Sequence, residues 1–252
     1  MNWSIIDFTI LGPALVAGLL VTLTHVPLGQ RVLQRGIIFL DLAIAQVAGL
    51  GIIVAHSFHF DPGGWLVQLI AFSSAILGVL LLNFTDQHWP KIQEALIGSL
   101  FVLASSGSIL LLATNPSGGE QLKELLVGQI LWVSYEQIIP VSVLYAIILG
   151  FWFKFSKQTS SLYFYILFAL TITASVQLVG IYLVFASLIL PALAIRNIEK
   201  HSLRYGYLVG IAGYLMGLVS AAMLDLPAGA VIVYSLAIAA LIIGWFIKKL
   251  LK

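Results

Sequence analysis

The chain has 252 residues, 61% of them hydrophobic and 9% charged, with a formal net charge of +2. Soluble domains carry about 25% charged residues, so this composition excludes a water-soluble globular protein, and the near-neutral balance gives nucleic acid nothing to bind. With no cysteine, disulfides and thiolate metal sites are excluded too, and the redox compartment stays open.

Residues 1–9 lack the basic leader of a cleaved signal peptide, so the first apolar stretch is expected to remain as a span. Apolar runs between charges and turn residues predict spans at 5–26, 37–57, 64–84, 94–114 and 138–156, a long run at 161–195, then 205–224 and 228–248. Between the fourth and fifth, residues 115–137 contain a short amphipathic stretch, Leu122 to Val133, expected to lie over the mouth of the bundle. The 161–195 run is uncharged throughout. A bilayer core about 30 Å thick takes roughly 20 helical residues, so the run crosses about once and a half, or crosses and turns back. Gly180 and Pro191 sit where a break and an end would fall. The expected fold is therefore all-α, a polytopic transmembrane helix bundle of about eight spans plus a broken or re-entrant half-helix in 161–195. It reads as one transmembrane domain over 1–252. Broken helices inside bundles belong to transporters, and any energy-coupling domain must sit on another chain.

Basic residues set the orientation. Arg31 and Arg35 follow the first span, Lys91 precedes the fourth, and Lys154 and Lys157 follow the fifth. Arg196, Lys200 and Arg204 lie after the long run, and Lys248, Lys249 and Lys252 close the sequence. The positive-inside rule makes these five clusters cytoplasmic. With the N-terminus outside, spans one to five satisfy the first three clusters. The last two are satisfied if the long run crosses outward near Gly180 and returns as a half-helix ending near Pro191.

Ionisable groups within spans are costly and face an interior pathway or a partner. Asp41 lies about five residues, or roughly 7 Å, into the second span, where it lines a translocation path, pairs with Arg35 or caps a neighbouring helix. Gln46 follows near mid-membrane, rotated about 140° from Asp41. Around them Ala43, Ala45, Ala48, Gly49 and Gly51 admit a neighbouring helix closely. In the outer loop, His56, His59 and Asp61 have the ligand chemistry of a divalent transition-metal contact, although three such residues on a loop fit a solvated loop better. Thr171, Thr173, Ser175 and Gln177 are held deep in the long run, Gln177 as a pathway candidate, the group otherwise hydrogen-bonding across helices. His25, His88 and His201 read as interfacial, leaving no histidine embedded in a span. Residues 190–204 form a short inner loop of mixed charge, either a docking point for a cytoplasmic partner or a solvated connector.

Three blocks carry the most specific patterns: PLGQRVLQRGIIFLDLAIAQVAGLG (27–51), LLVGQILWVSYEQIIP (125–140) and SVQLVGIYLVFASLILPALAIR (175–196). Together and in this order they resemble the integral-membrane subunits of bacterial zinc/manganese/iron ABC transporters, the ABC-3 family. The resemblance implies a multi-pass permease of the bacterial inner (plasma) membrane that works as a homodimer with two cytoplasmic ATPase subunits. It implies an extracytoplasmic metal-binding protein as the donor, zinc or manganese as the transported ion, and no covalently bound cofactor. Coupling to the ATPase would fall on the segment of Pro191, Arg196 and Lys200.

One departure bears on cargo. Family members place a histidine four residues after the aspartate, as Asp-Ala-Leu-Ser-His; here Asp41 is followed at that step by Ala45, then by Gln46. Asp41 alone carries over, and an amide oxygen is a weaker ligand than imidazole for a borderline ion. A metal chelate or other small cargo would keep the same architecture. A non-transporting assembly subunit would need neither Asp41 nor the broken run. A membrane-embedded enzyme would need a nucleophile–base pair or a ligand motif such as H-E-x-x-H in its spans, and the sequence has none.

Overall fold

The computed structural model describes residues 8–58, 60–61, 64–113, 115, 117–155, 161–198 and 200–250. Ten α-helices follow one another, with no strand among the described residues: α1 (Phe8–Arg35), α2 (Leu40–Ser57), α3 (Trp65–His88), α4 (Gln93–Leu112), α5 (Gly118–Val127), α6 (Tyr135–Phe155), α7 (Ser161–Val179), α8 (Ile181–Ala194), α9 (Ser202–Leu224) and α10 (Ala228–Leu250). Single 3-10 turns occupy Pro90–Ile92 and Ile130–Trp132. Eight helices are long and apolar enough to cross a membrane. The exceptions are α5, with 10 residues, and α8, whose 14 residues make about 21 Å. The chain is an all-α, polytopic membrane protein.

The long run is broken as its length demands. Gly180 stands between α7 and α8 at φ 81° and ψ 162°, a conformation open to glycine and costly for other residues. The second piece continues through Pro191 to Ala194 rather than ending at the proline. Two other boundaries differ from the sequence expectation. Helix α1 runs to Arg35, through Pro13 and Pro27, because apolarity marks the depth of lipid while the backbone ladder continues beyond it. Helix α5 covers 118–127 rather than 122–133, because Gly128 at φ 72° stops it.

Two compact units emerge from the packing. The first comprises Met1–Arg35, Val127–Ala146 and Leu178–Lys252, hence α1, α8, α9 and α10 with the first half of α6. Its helices associate through small residues, as expected where lipid removes any hydrophobic drive between helices. Gly206 of α9 faces Val26 of α1, and three turns further along α9 Gly217 faces Ile232 of α10. A Cβ at Gly217 would lie 2.6 Å from the Ile232 Cα, so a larger residue there would force the helices apart. The buried ring of Tyr214 lies over Gly18 of α1, and its hydroxyl sits 2.8 Å from Ser187 Oγ on α8.

The second unit comprises Gly36–Leu126 and Ile147–Gln177. Helix α2 packs against both α3 and α4. At the ends of α3 and α4, Thr85 Oγ1 donates to Gln93 Oε1 at 2.9 Å, while Gln93 Nε2 donates to the Leu82 carbonyl at 2.9 Å and to Tyr165 Oη at 3.4 Å. Ser161 Oγ, at the start of α7, donates to Asp86 at 2.9 Å. These polar stitches satisfy groups that lipid could not. Trp152, Phe164 and Phe168 fill the space beside them, with ring centroids 6.2 and 5.5 Å apart in sequence order.

Candidate functional site

Helix α2 begins at Leu40, capped from outside itself: the Phe39 amide donates to Glu94 Oε1 of α4 at 3.3 Å. Asp41 therefore stands in the first turn, where unpaired helix amides favour a carboxylate. Its side chain is 1% exposed, and neither carboxylate oxygen has a hydrogen-bond partner among the described residues. A buried carboxylate without a partner is expensive, and the fold holds this one in place. Gln46, one turn and a half further on, is 4% exposed. Ala43, Ala45, Ala48, Gly49 and Gly51 are buried with it, so α2 is covered on most of its circumference.

The outer histidines are placed differently from the loop the sequence suggests. His56 belongs to the last turn of α2, and its Nε2 is buried without a partner. Asp61 is exposed, and His59 lies outside the described residues. Among the described residues no group of three or more His, Cys, Asp or Glu side chains is gathered for a metal ion. In α7, Gln177 is exposed rather than held deep. Thr171 donates to the Leu167 carbonyl and Ser175 to the Thr171 carbonyl, each one turn back at 2.8 and 2.7 Å. A hydroxyl on a helix reaches its own backbone before it reaches a neighbour.

At the opposite end of α8, Pro191 is buried inside the helix while Arg196 and Lys200 are exposed on the connector to α9. Arg196 Nη1 donates to the Leu193 carbonyl at 3.1 Å, fastening the guanidinium to the end of α8. Between this connector and the last turns of α1 lies a cleft of about 630 Å³, lined by Gln30, Gln34, Arg196, Asn197 and Ser202. The cleft is open, with a lining that is half polar.

His25 was missed by sequence reasoning. It is 0% exposed in α1 rather than interfacial. Nδ1 lies 2.9 Å from the Val21 carbonyl. A carbonyl can only accept, so Nδ1 carries the proton and, in the neutral ring, Nε2 keeps a bare lone pair. That nitrogen is buried without a partner among the described residues. The signal was present in sequence: Val21, His25, Leu28 and Val32 recur at helical spacing, and all are buried.

Comparison with known proteins gives a consistent picture. The profile of the ABC 3 transport family matches residues 7–162 and 154–247. A "Probable metal transport system membrane protein" of Chlamydia trachomatis is 24% identical over 248 residues, covering 88% of this chain and 84% of the relative. The "High-affinity zinc uptake system membrane protein ZnuB" of Haemophilus influenzae is 23% identical over 244 residues, covering 88% and 92%. Among solved structures, PsaBC from Streptococcus pneumoniae in complex with Fab superposes with a TM-score of 0.77 at 22% identity, over 96% of this chain and 95% of that one.

Proposed function

The chain belongs to the ABC 3 transport family, and we propose that it is the membrane permease subunit of an ATP-driven transporter for a divalent transition-metal ion. It is a multi-pass protein of the inner membrane. In this reading the whole of 1–252 is one permease domain that pairs with a second copy. A separate cytoplasmic subunit hydrolyses ATP, and an extracytoplasmic metal-binding protein delivers zinc, manganese or iron. The observation that carries it is the family match, which runs through nearly the entire chain. Relatives named for metal and for zinc transport support the class of cargo.

Each element then has a task. Asp41 is a buried carboxylate that no described group hydrogen-bonds, so an arriving cation that takes the place of its proton gains Coulomb energy that water does not screen. Gln46 and Gln177 are pathway candidates, offering amide oxygens that hold an ion weakly enough to release it. His56, with His59 and Asp61, would meet the ion at the outer end. At the inner end Pro191, Arg196 and Lys200 belong to the segment that engages the ATPase. Ala45, where family members carry an imidazole, shifts the donor set toward oxygen and so toward harder ions than zinc. The same substitution favours a metal chelate as the second reading, because a chelate arrives with its own ligands.

The test is to purify the chain with its co-expressed partners, analyse bound metals, and assay ATPase activity against zinc, manganese and iron. Stimulation by one of these ions with the donor protein present is expected. A complex that hydrolyses ATP indifferently to every ion, and retains none, would overturn the metal reading.

A further inference from the structure

Two glycines 52 positions apart in sequence meet backbone to backbone in the first unit. Gly128 has φ 72° and Gly180 has φ 81°. A Cβ on Gly180 would lie 2.6 Å from both the Gly128 Cα and the Val127 carbonyl carbon, and a Cβ on Gly128 would lie 2.5 Å from the Gly180 nitrogen. On the other flank, a Cβ on Gly229 in the first turn of α10 would lie 2.6 Å from the Val127 oxygen. The Val127–Gly128 link is therefore pressed between the α7–α8 break and the start of α10 with no side chain intervening. No backbone hydrogen bond joins it to Val179 or Gly180 among the described residues. Behind it, Val179, Ile181, Leu183 and Val184 are at most 3% exposed.

We propose that the Val127–Gly128 link is a latch: seated against Gly180 it seals the break in α7–α8, and lifted away it opens the upper turns of α8 to water from outside the membrane. A contact held by shape alone can part without leaving hydrogen-bonding groups stranded, at the cost of dispersion contacts. Two closely packed backbones also give two discrete arrangements, in contact or apart, rather than a graded series. The latch rests on the permease reading for the side of the membrane it faces. Its test reads water access and not uptake, so the two readings fail separately.

The chain has no cysteine, so Leu183→Cys provides a single reporter in intact cells, probed with a membrane-impermeant maleimide. With the latch intact the thiol is buried and protected. Gly128→Ala drives a methyl into the break, and labelling is expected to rise at least tenfold. Gly229→Ala pushes the same link from the other side without any positive-φ penalty and should raise labelling likewise. Gly36→Ala is the control: Gly36 has φ 71°, but nothing lies within 4 Å of its would-be Cβ, so it carries the backbone strain without the collision, and labelling should stay at the parent rate. Unchanged labelling in both Gly128→Ala and Gly229→Ala overturns the latch, as does an equal rise in Gly36→Ala. Failure of both variants to reach the membrane while Gly36→Ala does so would make the contact a part of the fold and would also overturn it.

Discussion

Replacing Asp41 with Asn keeps the shape of the side chain and removes its charge, and the structure gives the sign of two separate effects. An aspartate at the centre of a membrane helix costs about 3 kcal/mol, which is a ceiling for Asp41 near the start of α2. Standing in the first turn of α2 returns about 1 kcal/mol through the helix-end amides. No described hydrogen-bond partner offsets the remainder, so at most about 2 kcal/mol of strain is stored at this carboxylate, worth up to about 30-fold in an equilibrium constant. Asp41→Asn should therefore fold at least as stably as the parent, by up to that amount, while uptake of the cargo ion falls tenfold or more. Uptake would be followed with radioactive zinc, manganese or iron in cells, abundance by immunoblot of membranes, and stability by thermal unfolding in detergent. A purely structural Asp41 gives the opposite pattern, with lower stability and normal uptake per molecule. Uptake within twofold of the parent would refute the reasoning, and so would a stability loss rescued by Arg35→Gln.

Three further outcomes follow from the same geometry. Arg196→Glu, on the exposed connector beside the cleft, should lower ATPase stimulation several-fold while leaving the permease folded in membranes; normal coupling would count against docking at this segment. Single cysteines at Lys154 and His201 should both react from the cytoplasmic side, and labelling from opposite faces would disprove the parity argument for the break. Ser187→Ala and Tyr214→Phe should each cost about 1 kcal/mol, and the double variant should show a coupling of similar size between them, measured by denaturant or thermal unfolding; additive losses would mean that the 2.8 Å contact between the two hydroxyls carries no energy of its own.

What the sequence made legible was whatever lipid itself enforces. The 161–195 run had to break because it exceeds the bilayer, and Gly180 was the residue able to accommodate the break. Asp41 stood out because a charge in a span needs a reason. His25 was hidden by the same reasoning, since the hydrophobic run was closed at 26 and the histidine then fell at its rim. The helix continues to Arg35, and the buried stripe through Leu28 and Val32 shows that packing against neighbouring helices, not immersion in lipid, decides what is interior there. Gly128 was harder still. In sequence it sits unmarked inside the amphipathic stretch, and its meaning depends on Gly180, 52 residues away, occupying the space a side chain would need. Hydropathy reports the solvent each residue faces, which is a local property. Which two backbones touch is a property of the pair, and a single sequence records it merely as two glycines.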